Sequence, residues 1–161
     1  MNKQMTKGFT LGKFAPLHKG HQFLIESALQ QVEQLIIVVY ACEELPNCSL
    51  QTRINWITHL YPTVQVIAAP DGPKEVGYSI EITQKHDAYL MQLLKGQYFD
   101  CFFSSEPYGE HVSRAFNCKD IRVDQARIHV PISGTQVRSN VNMCAEFLSP
   151  LVFNSLVKLN K

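Results

Sequence analysis

The run Leu35-Ile36-Ile37-Val38-Val39-Tyr40 constrains this chain more than any other segment. It is apolar at every position and rich in β-branched residues, so no alternation marks a solvent-facing side. A run of this kind predicts a strand covered on both faces, the condition of a parallel sheet with crossover helices. Shorter runs predict further strands at residues 8–11, 64–69, 100–104 and 120–123, with the first run itself extending over 35–41. Helical periodicity falls between them. Residues 19–32 carry Phe23, Leu24, Ala28, Leu29 and Val32 near one face, and residues 50–60 follow Ser49, a good N-cap. Residues 79–95 stop before Gly96, and two weaker patterns cover 107–116 and 141–159, the second of which Pro150 must break or restart. Strand alternating with helix predicts an α/β fold, an open parallel sheet with helices on both faces, as one domain over residues 1–161. Ligands of such sheets bind outside the carboxyl ends of the strands.

Composition sets limits on partners. The formal net charge is +1, with basic and acidic residues interspersed, so no charged stripe asks for nucleic acid or an anionic membrane. No apolar run approaches the ~18 residues of a membrane span. The five cysteines are odd in number and form no C-x-x-C pair, which fits reduced thiols and a cytoplasmic setting. A homo-oligomer is compatible with the chain.

Two segments at the expected carboxyl edge carry the chemistry. The first, Gly12-Lys13-Phe14-Ala15-Pro16-Leu17-His18-Lys19-Gly20-His21, joins the first strand to a helix. Gly12 permits close backbone approach, and Pro16 stiffens the loop. His18 and His21, three apart, project on the same side of a first helical turn. That turn offers unpaired N–H groups and a positive dipole end, so the two imidazoles and the amides suit a polyphosphate. A surface pair or a metal site are the alternatives, although no Cys, Asp or third His nearby completes a ligand set. The segment is not a P-loop. The second segment is Pro131-Ile132-Ser133-Gly134-Thr135-Gln136-Val137-Arg138, where Ser133 is a plausible N-cap and Arg138 is suited to bidentate phosphate contacts.

Together these segments resemble the G-x-F-x-P-x-H-x-G-H and I-S-[GS]-T-x-[IV]-R signatures of the nucleotidylyltransferase superfamily, whose fold is Rossmann-like. The resemblance implies that His18 and His21 contact ATP phosphates and stabilise charge as pyrophosphate leaves, with Lys13 and Arg138 beside them as catalytic residues. It implies ATP contacts at Leu11, Gly12, Phe14, Gly20, Ser133 and Thr135. Mg²⁺ is expected on the ATP phosphates, with no protein metal site. Gly12-Lys13-Phe14, Arg53-Ile54-Asn55-Trp56-Ile57 and Phe103-Ser104-Ser105-Glu106-Pro107-Tyr108-Gly109 are similar to segments of nicotinamide mononucleotide adenylyltransferases of the archaeal and NadR type. Arg53, Trp56, Ser104 and Glu106 are accordingly expected at the mononucleotide, with a core role open for Trp56. The expected reaction joins ATP and nicotinamide mononucleotide to give NAD and pyrophosphate. Transfer to another phosphate acceptor (phosphopantetheine, glycerol phosphate) and a non-catalytic nucleotide sensor are the alternatives. The DNA-binding and kinase parts that NadR-type proteins often add find no counterpart in these 161 residues, and residues 78–86 match no role.

Overall fold

In the computed structural model, which describes residues 5–75, 77, 79–105 and 109–159, five strands form one parallel sheet. The strands are β1 (Met5–Gly12), β2 (Val32–Tyr40), β3 (Gln65–Ala69), β4 (Cys101–Ser104) and β5 (Lys119–Arg122), in the spatial order β3-β2-β1-β4-β5. The helices are α1 (Lys19–Leu29), α2 (Leu50–Leu60), α3 (Ile80–Leu93), α4 (Gly109–Ala115), α5 (Gly134–Ser139) and α6 (Pro150–Leu159).

The apolar run does what its composition requires. Leu35, Ile37 and Val39 of β2 join one core with Leu24, Ile25 and Ala28 of α1, Ile57 of α2 and Leu156 of α6. Ile36, Val38 and Tyr40 join a second core on the opposite face with Leu90 of α3 and Val112 of α4. A strand buried on both sides has no polar alternation to show. The sheet is thus sandwiched, as an α/β Rossmann-like fold should be.

Strand order reverses between β1 and β4, where chain connections leave in opposite directions and a crevice opens at the carboxyl ends. Residues of β1 pair with β2 from Met5–Val32 to Gly12–Val39, whereas the β1–β4 register pairs are Gly8–Cys101 and Phe9–Phe102. The base of that seam is held by Asp100, whose carboxylate accepts from the N–H groups of Thr6 and Lys7, each at 2.9 Å.

Helix boundaries follow local chemistry. Ser49 Oγ accepts from Thr52 N–H at 3.0 Å and starts α2 where the sequence predicts. Ser79 caps α3 in the same way. One expectation needs correction outright: the first helix stops at Leu29, and Val32 opens β2 instead of closing α1. The pattern over 141–159 restarts at Pro150 as expected, where α6 begins, but the part before it is turns and a 3₁₀ turn at Ala145–Phe147 rather than α-helix. Proline lacks the N–H that continuing an upstream helix demands, but a first helical position leaves that group unused. Of the segment expected at 107–116, Gly109–Ala115 is helical, and Pro107 lies outside the described residues. No helix among the described residues is long and apolar enough to cross a membrane.

Candidate active site

The loop from β1 to α1 delivers His18 and His21 to the crevice, and the two rings cap the helix reciprocally. His18 is the N-cap; its Nδ1 accepts from the N–H of Gly20 at 3.0 Å and of His21 at 3.3 Å. His21 Nδ1 accepts in turn from His18 N–H at 3.2 Å. This is a capping box with imidazoles in place of the usual hydroxyl and carboxylate. Gly20 is required here, because a Cβ would stand 2.8 Å from the His18 ring. The rings stack at a centroid distance of 3.7 Å, and the edge of Phe14 buttresses His21 at 4.8 Å.

With each Nδ1 accepting a backbone N–H, the ring proton sits on Nε2, so each ring keeps one donor that the capping bonds do not use. Burial, reinforced by the charges of Arg127 and Arg138, brings the His18 pKa from 6.5 down to about 4. Burial, then the neighbouring His18 and Arg127, hold His21 well below the ordinary histidine range. The pair is neutral at pH 7 in the ligand-free protein. It presents dipoles already aligned by the helix start rather than two positive charges.

A cleft of about 100 Å³ brings His18, Gly20 and His21 together with Ser105, Asp124, Arg127 and Gly134. Arg127 and Asp124 were not anticipated from the sequence. Asp124 follows β5 with φ +49°, and its carboxylate accepts from three amides: Ile128 and His129 through Oδ1, Val130 through Oδ2, at 2.8–2.9 Å. Those bonds depress its pKa and wrap the loop so that Arg127, at φ +53°, faces the histidines. The available signal was an Asp-x-x-Arg turn directly after a strand.

Arg138 lies on α5. Its Nη1 donates to the Ala15 carbonyl at 2.6 Å and its Nη2 to Thr135 Oγ1 at 3.2 Å. Gly134 leaves the path open: a Cβ there would be 3.0 Å from Arg138 Nη1. Ser133 is indeed an N-cap, accepting from Gln136 N–H at 3.2 Å. Lys13 extends from the loop into an ion pair with Glu44, which holds the Glu44 carboxyl down to about 2. The side chain of Leu11 packs against the second core and Phe14 is buried in the first, so both can offer a ligand little beyond backbone. Gly12 lies beside the Phe14 ring, 3.2 Å from where a Cβ would be.

The expected mononucleotide contacts fare differently. Arg53 is only 1% exposed, and its Nη1 donates to the carbonyls of Lys13 at 2.6 Å and Tyr40 at 2.7 Å. In place of an open ligand contact the structure gives a backbone tether. Trp56, one turn further along α2, is 3% exposed within the first core. Two residues three apart share a helix face, so burying one buries the other. Ser104 is buried at the end of β4, under Gly109. Glu106, with Pro107, Tyr108 and Tyr78, lies outside the described residues.

Among the described residues, no group of three His, Cys, Asp or Glu side chains is placed to hold a metal ion. Asp124, the carboxylate that lines the cleft among the described residues, accepts amide hydrogen bonds at both oxygens.

Comparison with known proteins agrees with this architecture. The chain is 26% identical over 160 residues to the trifunctional NAD biosynthesis/regulator protein NadR of Escherichia coli (strain K12), a match covering 86% of this chain and 37% of that protein. The crystal structure of a NadR protein in complex with NAD and AMP-PNP superposes with a TM-score of 0.65 at 17% identity, covering 92% of this chain and 46% of that one. A bifunctional NMN adenylyltransferase/ADP ribose pyrophosphatase from Francisella tularensis gives 0.68 at 20% identity, covering 96% and 49%. The chain therefore spans less than half the length of each of these three proteins, and the two structures establish a common fold. Its match to the cytidylyltransferase-like family runs over residues 9–140, most of the chain, and it belongs to that family.

Proposed function

We propose that the chain transfers the adenylyl group of ATP to nicotinamide mononucleotide, giving NAD and pyrophosphate. The observation that carries this reading is the stacked, neutral His18–His21 pair with Arg127 beside it, at a helix start on the crevice between β1 and β4. The names of the relatives favour NAD biosynthesis as the setting.

The nucleophile is a phosphate monoester whose second pKa is about 6, so it is an anion at pH 7 and needs no general base. Its oxygen attacks the α-phosphorus of ATP, the bond to the bridging oxygen of pyrophosphate breaks, and negative charge moves onto the leaving group. Preorganised donors aimed at that charge are the largest catalytic contribution available. The Nε2–H groups of His18 and His21 supply two of them, and Arg127, Arg138 and Lys13 add positive charge around the phosphates. Ser133 and Thr135 flank the same groups from α5. Mg²⁺ arrives as part of the substrate, on the ATP phosphates.

The deciding experiment gives the purified protein Mg-ATP with a panel of acceptors and reads pyrophosphate release. Nicotinamide mononucleotide should turn over fastest. Faster turnover of phosphopantetheine with ATP, or of glycerol 3-phosphate with CTP, rejects the acceptor. Binding of Mg-ATP without release on any acceptor rejects catalysis.

A further inference from the structure

Every phosphate-facing group of the β1–α1 loop depends on how the backbone of Lys13, Phe14 and Ala15 is held. Two guanidinium groups hold it by alternate carbonyls, Arg53 at Lys13 and Arg138 at Ala15. Between those points Phe14 sits at φ +50°, in the left-handed region that a bulky residue adopts only when its surroundings enforce it.

Arg53 is the unusual member. A guanidinium that is 1% exposed has surrendered its hydration, and such groups ordinarily face a carboxylate. Among the described residues, both hydrogen-bond acceptors of Arg53 are uncharged backbone oxygens, and its buried Nε has no hydrogen-bond partner. Packing alone would be served as well by an apolar side chain of similar volume. What the charge accomplishes is specific: one nitrogen draws together the carbonyls that follow β1 and end β2. In a trans peptide the N–H points opposite to the C=O, so turning the Lys13 carbonyl towards Arg53 turns the Phe14 N–H away from it. The loop's amide is aimed by a residue that never touches the ligand.

We propose that Arg53 is a positioning residue of the phosphate-binding loop, its guanidinium fixing Lys13 and Phe14 against the end of β2 by bridging the Lys13 and Tyr40 carbonyls. The inference rests on the adenylyl-transfer reading. A positive charge behind the loop, with no ion pair to a carboxylate among the described residues, also favours the polyphosphate in front of it. Displacing a positioned group by about 1 Å costs on the order of 10²-fold in rate.

The test compares the full-length wild type with Arg53→Met and Arg53→Lys by four measurements: melting temperature, Mg-ATP binding by calorimetry, pyrophosphate release, and amide hydrogen exchange. Arg53→Met should lower kcat about 10²-fold while Mg-ATP affinity falls far less. Exchange should quicken over residues 12–17 and stay slow in α1. Arg53→Lys, which keeps the charge and a nitrogen donor on a shorter stem, should recover a substantial part of kcat. Wild-type kcat and unchanged exchange in Arg53→Met would overturn the proposal, as would losses that merely track melting temperature in both variants. If Arg53→Met does not fold, Arg53→Lys decides alone: faster exchange over 12–17 with reduced kcat at a near-native melting temperature supports the tether, and any other pattern rejects it. Should the wild type bind Mg-ATP yet release no pyrophosphate, adenylyl transfer fails, and the binding and exchange data still judge Arg53.

Discussion

Acidifying the ligand-free protein from pH 7 to pH 5 should weaken its fold through the histidine pair. His18 titrates at about 4 in the folded protein, against 6.5 for an ordinary histidine. Between those values the unfolded chain binds a proton that the folded chain does not. Linkage then makes stability rise with pH across the window, so it is fully present above 6.5 and lost progressively as pH falls towards 4. At about 1.36 kcal/mol per pH unit the ceiling is about 3 kcal/mol, and the part lost between pH 7 and pH 5 is about 2 kcal/mol. His21, shifted in the same direction, adds to it. The carboxylates near the cleft do not blur the window: those of Glu44 and Asp124 are depressed, and their contributions are lost at lower pH. For a chain of this size the loss should lower the melting temperature by about 4–8 °C. His18→Asn is the control, because Asn caps a helix well but cannot titrate. Calorimetry at pH 7, 6 and 5 should show a steeper fall for the wild type than for the Asn variant. Equal slopes in the two proteins would refute the assignment of a buried neutral ring to His18.

Two further outcomes follow from the site. His21→Ala should lower kcat by about 10²–10³ with a much smaller loss of ATP affinity, since a preorganised donor acts mainly on the developing charge; steady-state kinetics beside calorimetric binding checks this, and near-normal kcat in the folded variant would end the catalytic assignment. Trp56→Ala should cost about 3–5 kcal/mol of stability, as for other buried large aromatics, while the KM for the mononucleotide in the folded fraction stays near the wild-type value; a raised KM with an unchanged melting temperature would restore Trp56 to the ligand.

Much of the architecture was legible because it rests on short-range rules. The β2 run has no reading except a doubly covered strand, and Ser49 fixed the start of α2 through one side-chain hydrogen bond. The histidine spacing also predicted a shared side correctly. Its capping role was hidden, since hydroxyl, amide and carboxylate side chains are the expected N-caps. Arg53 was hidden for a related reason. Arginine is rarely buried, so an arginine near a presumed phosphate site reads as a ligand contact; the carbonyls it serves are 40 and 13 residues away in sequence. The Asp124–Arg127 loop eluded pattern reading because its left-handed residues are not glycines, and the order comes from one carboxylate collecting three amides. In the last segment Pro150 announced the restart of the helix, while the apolar periodicity before it over-read turns and a 3₁₀ turn as helix.

The seam between β1 and β4 has a mechanical consequence. Its register pairs are Gly8–Cys101 and Phe9–Phe102, while β1 continues alongside β2 as far as Gly12. Asp100 clamps the lower end through the amides of Thr6 and Lys7. Ladder pairing is therefore thinnest across this seam, while side-chain packing spans it on both faces: Phe9 meets Phe102 at 4.7 Å on one, and Cys101 and Phe103 share the other core with Leu35 and Ile37. The edge of the sheet beside the histidines is thus joined more by interlocked side chains than by backbone hydrogen bonds, so a substitution in that packing reaches the site by a route the ladder does not provide.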